Sequence, residues 1–101
     1  MFPKWNPGRH TISKFTNLGK KEAYQFLRIS SDNFIKKEAV RQFIFERDHY
    51  KCVMCGSKEN LTIDHKISVY QASIEKSLIK ILNNEENLQT LCLKCNSGKN
   101  P

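Results

Sequence analysis

The chain has 101 residues, with 17 Lys and Arg against 10 Asp and Glu, 3 His and a formal net charge of +7 at pH 7. That length suits one small domain whose modest core a bound metal would help to hold. No apolar run approaches the length of a membrane span, which leaves out a membrane helix, and the excess of Lys and Arg favours a polyanionic partner.

Residues 1–30 read as a basic aromatic arm. Lys4, Arg9, Lys14, Lys20, Lys21 and Arg28 face a single acid, Glu22. Pro3, Pro7, Gly8 and Gly19 should break the first part into irregular structure. Phe2, Trp5, Phe15, Tyr24 and Phe26 interleave with the cations. Two readings stand side by side. The cations can lie along a phosphate backbone, with Arg9, Lys20 and Lys21 in contact, or the aromatic rings can pack on the core and leave the cations solvated. The two use different atoms and are compatible. Lys20 to Ile29 has the spacing of a short helix, with Ala23, Phe26 and Leu27 on one face.

Residues 31–101 form the second unit. Ser31-Asp32-Asn33 offers N-cap candidates, and Phe34 to Arg47 should be a helix with Val40, Phe43 and Ile44 at helical spacing. Arg41 and Arg47 are either solvated or phosphate contacts. His49 reads as a turn residue with no catalytic task.

Two C-x-x-C pairs follow, Cys52/Cys55 and Cys92/Cys95. A two-residue spacer lets both sulfurs of a pair reach one ion, and two pairs can surround one tetrahedral zinc. Four thiolates make a closed, structural site, and would bring the net charge down to about +5. The alternative is disulfides or buried thiols. With no recognisable secretory signal, a reducing, cytoplasmic setting is expected, which argues against disulfides. Gly56 lets the backbone reverse after the first pair.

Between the pairs, Leu61-Thr62-Ile63 reads as a strand ending at Asp64-His65. Neighbouring side chains of a strand point to opposite faces. Asp64 and His65 therefore suit a division of labour, one on a metal and the other on a nucleophile. Lys66 to Tyr70 should be the return strand of a hairpin. Ser73 could cap a helix running through Asn83, with Ile74, Leu78, Ile81 and Leu82 on one face. Asn87 to Leu91 leads into the second Cys pair, and a very short helix carries Asn96 towards Asp64.

The D-H dipeptide, then N-L-Q-x-L-C-x-x-C-N-x-x-K, with C-x-x-C upstream and R-x-F-I-F-E-R-D-H-Y-K-C as lead-in, resembles the HNH nucleases of the ββα-metal (His-Me finger) fold. The resemblance covers Arg41 to Lys99. It implies His65 as general base, Asp64 as ligand of a catalytic divalent metal, and Asn87 as the middle Asn that braces the loop and orients the His. Asn96 stands where many members have a third His and would be the second ligand, making an H-N-N variant. Gln71 to Glu86 replaces a glycine-rich turn that many members carry.

The expected fold is therefore α+β: a small ββα-metal core stapled by a four-cysteine zinc site, with added helices and a basic N-terminal arm. The expected function is hydrolysis of DNA phosphodiester bonds, double-stranded DNA being the partner. Zinc is the structural metal and magnesium or manganese the catalytic one. Lys66 and Lys99 join Arg9, Lys20, Lys21, Arg41 and Arg47 as candidate DNA contacts. The setting expected is a phage or restriction system, with the oligomeric state open, a homodimer included. The rival is a zinc-stabilised module that binds nucleic acid without cutting it.

Overall fold

The computed structural model describes residues 2–99. It is an α+β structure of five α-helices and one two-stranded antiparallel sheet. Helix α1 (Arg9–Thr16) falls in the arm expected to be irregular, where residues 2–8 and 17–19 lack helix. Helix α2 (Lys20–Ile35) buries Ala23, Leu27, Ser31 and Phe34. These fall at i, i+4, i+8 and i+11, so one apolar stripe runs the whole length.

That stripe corrects two expectations. Ser31-Asp32-Asn33 lies inside α2 and caps nothing, because Ser31 is fully buried and Phe34 still belongs to the stripe. The break comes later, at Lys36 and Lys37, and α3 starts at Glu38 and ends at Arg47. A boundary at residue 30 likewise cuts through an unbroken helix.

Strand β1 (Leu61–His65) forms as the β-branched run suggested. Its partner is β2 (Leu88–Cys92), not Lys66 to Tyr70, with Leu61 opposite Cys92 and His65 opposite Leu88. The stretch after β1 turns instead into helix α4 (Val69–Ile74), capped by Ser68, whose Oγ accepts from the Gln71 amide at 3.0 Å. Val69 and Ala72, three apart, are buried, and that spacing fits a helix packed on α2. Ser73 sits inside α4 and donates its hydroxyl to the Tyr70 carbonyl. Beyond it the chain makes 3-10 turns at Lys76–Lys80 and Glu85–Asn87, where one longer helix was expected. The short helix α5 (Leu93–Ser97) follows β2 directly.

Two apolar clusters hold these pieces. Phe15, Ala23 and Leu27 of the N-terminal helices pack with Val69, Ala72, Ile79 and Leu82. Phe34, Val40 and Ile44 pack with Ile63 and Leu88 of the ribbon. Trp5 touches both clusters. The arm's aromatic residues are thus largely core, while Arg9, Lys20 and Lys21 remain exposed.

A polar latch joins α3 to β2. Arg47 donates to the Glu85 and Leu88 carbonyls, each at 2.7 Å, and pairs with Asp48. Asp48 Oδ2 accepts from the Thr90 amide at 2.9 Å. Burial alone would raise the Asp48 carboxyl, but bonds from Arg47 and the Thr90 amide outweigh it and hold it below its ordinary value. Arg47, expected among the phosphate contacts, is committed to this latch. Hydrogen bonds to charged groups contribute about 1.5–3 kcal/mol each and are not additive. Asp48→Ala should therefore cost about 2–3 kcal/mol in denaturant unfolding of zinc-loaded protein. A loss below about 0.5 kcal/mol would mean that the latch is ornamental.

Candidate functional site

The β1–β2 register brings the cysteines together. Leu61 faces Cys92, and the first knuckle closes on itself through the Cys52 amide to the Ser57 carbonyl and the Gly56 amide to the Cys52 carbonyl. Gly56 adopts φ 79°, the left-handed region that favours glycine. The sulfurs of Cys52, Cys55, Cys92 and Cys95 all lie within 4.8 Å of one another, and Cys55 Sγ and Cys92 Sγ are 3.6 Å apart. Tetrahedral zinc with bonds of about 2.3 Å spaces its sulfurs by about 3.8 Å. The four cysteines fit one such ion.

Crowding separates the proton affinities of these thiols. Burial works to raise Cys52, yet backbone hydrogen bonds from Cys92, Cys55 and Met54 pull it down to about 6. Cys95 is pushed up to about 12 by hydrogen bonding to the sulfurs of Cys92, Cys55 and Cys52. A bound dication would replace these shared protons.

At the other end of the ribbon lies a cavity of about 230 Å³, walled by Asp64, His65, Asn96 and Lys99, with Tyr24 and Arg28 of α2 across from them. Asp64 and His65 are buried. Asp64 Oδ2 accepts from Gln89 Nε2 at 2.8 Å and from Lys99 Nζ at 2.6 Å. Gln89 sits opposite Asp64 in the ladder. Lys99 Nζ also donates to the His65 carbonyl at 2.7 Å. Among the described residues Asp64 Oδ1 meets no partner.

Asn96 donates Nδ2 to Thr62 Oγ1 at 2.9 Å, and Thr62 donates its own hydrogen to the Leu91 carbonyl at 2.8 Å. A hydroxyl that has spent its hydrogen can only accept. That fixes the amide of Asn96 and turns its oxygen away from Thr62.

His65 is held from elsewhere in the chain. Its Nε2 lies 2.7 Å from Asn83 Oδ1. Burial is the main influence on the ring and keeps its pKa below the ordinary 6.5, with Asn83 and Asp64 acting the other way. Asn87, expected to brace the loop and orient the His, bonds the loop after β1, while the ring is met by Asn83. Its Oδ1 accepts from the Ile67 amide, its Nδ2 donates to the carbonyls of Ile67 and Leu82, and its carbonyl accepts from the Lys66 amide. It does not line the cavity.

The sequence reading missed Asn83, Gln89 and the α2 wall. Asn83 looked like a helix terminator. Gln89 would have emerged had β2 been paired with β1. Tyr24, Arg28 and Asp32 repeat at i, i+4 and i+8, a spacing that puts them on one face of α2. Of the candidate DNA contacts, Lys99 alone among the described residues is on the cavity wall. Arg9, Lys20, Lys21, Arg41 and Lys66 are exposed elsewhere, Arg41 lying 5.0 Å over the Phe45 ring.

Residues 52–101 match the HNH endonuclease family, and this half of the chain belongs to that family. Proteins of this kind act on nucleic acids. Comparison with curated proteins and with solved structures gives no match. No helix among the described residues is long and apolar enough to cross a membrane.

Metal analysis of purified protein should find one zinc per chain, and stripping it should unfold the domain, since such sites contribute on the order of 10 kcal/mol or more. A folded protein without zinc would overturn this.

In zinc-loaded protein the His65 ring should titrate below 6.5 in an NMR pH series. Between that lowered value and 6.5 the unfolded chain binds the proton more readily, so this stabilisation is full above pH 6.5 and is lost as pH falls through the window. A midpoint above 6.5 would show that the ring is not buried as described.

Proposed function

We propose that this protein is a metal-dependent endonuclease that hydrolyses DNA phosphodiester bonds, with His65 as general base and a divalent ion held by Asp64 and Asn96. The observation that carries the reading is the convergence of Asp64, His65 and Asn96 on one cavity, at the end of the ribbon away from the cysteine cluster.

The residue chemistry supports it. A neutral imidazole can take a proton from water near pH 7, and burial favours the neutral ring of His65. Asp64 keeps one carboxylate oxygen clear of Gln89 and Lys99, and Asn96 has its amide nitrogen tied down and its oxygen left over. Two hard oxygens suit magnesium or manganese, which retain several waters and take few protein ligands. When bound, such an ion supplies charge stabilisation at the phosphoryl and leaving oxygens.

Tyr24, Arg28 and Lys99 flank the path by which a strand would reach His65. The exposed Arg9, Lys20, Lys21, Arg41 and Lys66 are available to a duplex backbone, where each contact adds about 0.9 to the salt slope. A reducing cytoplasm would keep the four sulfurs ready for zinc.

A plasmid-nicking assay with and without magnesium separates cutting from binding alone. His65→Ala should lower cleavage by roughly 10²–10⁴-fold while DNA affinity and zinc content stay as they were. Asn96→Ala should lose activity with every metal, whereas Asn96→His should move it from magnesium and manganese towards nickel and zinc. Binding without cleavage in the unaltered protein would favour a nucleic-acid-binding module. A metal profile common to all Asn96 variants would remove that residue from the site.

A further inference from the structure

We propose that Asn83, itself held by Ser31 of α2, is a positioning residue that fixes the His65 imidazole with its proton on Nε2 and leaves Nδ1 as the base. The catalytic consequence rests on the nuclease reading, whereas the geometry stands without it.

Three polar side chains form one chain that runs from the cavity wall into the interior. Asn83 Oδ1 is 2.7 Å from His65 Nε2, and Asn83 Nδ2 is 3.1 Å from Ser31 Oγ. Relative exposures are 9% for His65, 1% for Asn83 and 0% for Ser31. A neutral imidazole has two tautomers, and the bond made by one nitrogen decides which of them is present. Asn83 and Ser31 are sealed from solvent, so on the Nε2 side of the ring each group's role is dictated by the next. A carbonyl oxygen only accepts, so a carbonyl facing Nε2 requires the proton there and puts the lone pair on Nδ1.

The reverse chain also closes on paper. Ser31 would donate to Oδ1, Nδ2 would donate to Nε2, and the proton would sit on Nδ1. That imidazole could not take a proton from water at Nδ1. The two chains therefore separate a competent ring from an incompetent one, and the Ser31 hydroxyl decides between them. In the structure Asn83 turns Oδ1 to Nε2 and Nδ2 to Ser31 Oγ, so the hydroxyl accepts and the first of the two chains is the one built. Ser31 lies outside residues 52–101, the part of the chain that matches the family. Asn83 lies in the segment standing where many members have a glycine-rich turn. The orientation of His65 thus draws on one residue outside the family match and one inside it.

The test uses the full zinc-loaded chain, nitrogen-15 histidine NMR in mildly alkaline buffer without other divalent metal, and cleavage kinetics. The unaltered protein should show a pyrrole-like Nε2 and a pyridine-like Nδ1. Asn83→Asp keeps an acceptor at Nε2 and should keep that signature. Asn83→Leu and Ser31→Ala should give averaged shifts, with kcat lowered by about 10²-fold and KM little changed. If Asn83→Leu does not fold, Ser31→Ala decides, because it removes one hydroxyl from a helix. A proton on Nδ1 in the unaltered protein, or an unchanged Nε2–H signature in the variants that fold, overturns the proposal. An unaltered protein with the expected signature that cuts no nucleic acid overturns the nuclease reading alone.

Discussion

The five-residue pairing of β1 with β2 is the interaction on which the rest depends. One end of the ladder sets Leu61 beside Cys92, and so closes the first cysteine knuckle against the second. The other end sets Asp64 beside Gln89 and His65 beside Leu88. About 3.3 Å per residue separates these ends, so a single short ribbon spans the candidate zinc cluster and the cavity. A two-stranded ribbon is marginal alone. Here the cysteines clamp one end, the Arg47–Asp48 latch holds the flank, and Ile63 and Leu88 anchor one face in the core.

Strand alternation then distributes the chemistry. Thr62 and Asp64 share a face, and α5 with its C-terminal turn covers it, Asn96 on Thr62 and Lys99 on Asp64. Ile63 and His65 share the other face. Ile63 meets Phe34, Val40 and Ile44, while His65 reaches Asn83 and, through it, Ser31. The opposite faces expected of the Asp64-His65 dipeptide are a property of the strand. Both side chains still border one cavity, because His65 is the last residue of β1 and the chain turns away there.

What was legible in the sequence was local. The C-x-x-C spacing, the β-branched run ahead of Asp64, the left-handed turns at His49 and Gly56 and the short last helix all depend on near neighbours. What was not legible depended on distant ones. Lys66 to Tyr70 looked like a return strand until β2 took the pairing. Ser31-Asp32-Asn33 looked like a cap, although its serine is a buried partner for a residue 52 positions away. Asn87 bonds the loop after β1, whereas the bond to the His65 ring belongs to Asn83. Polar residues such as Asn and Ser signal caps and turns when read along the chain, and the same donors and acceptors serve equally well across it.

The N-terminal residues show where a division by charge goes astray. Six cations against one acid made residues 1–30 look like an appended arm. Charge, however, describes the solvent side of a helix, while Phe15, Ala23 and Leu27 occupy the other side and meet Val69, Ala72, Ile79 and Leu82 there. The two segments need each other. Helix α4 and the turns after it bury their apolar side chains against α1 and α2, with Trp5 and Leu18 packed on the same cluster, and a six-residue helix is far below the length that persists unaided in water, about 12–15 residues. Asn83 directly follows Leu82 of this shared core, so its reach to His65 is only as well defined as the packing behind it. The site is therefore tied to two cores at once: the ribbon presents Asp64 and His65, and the helical layer decides which way the imidazole faces.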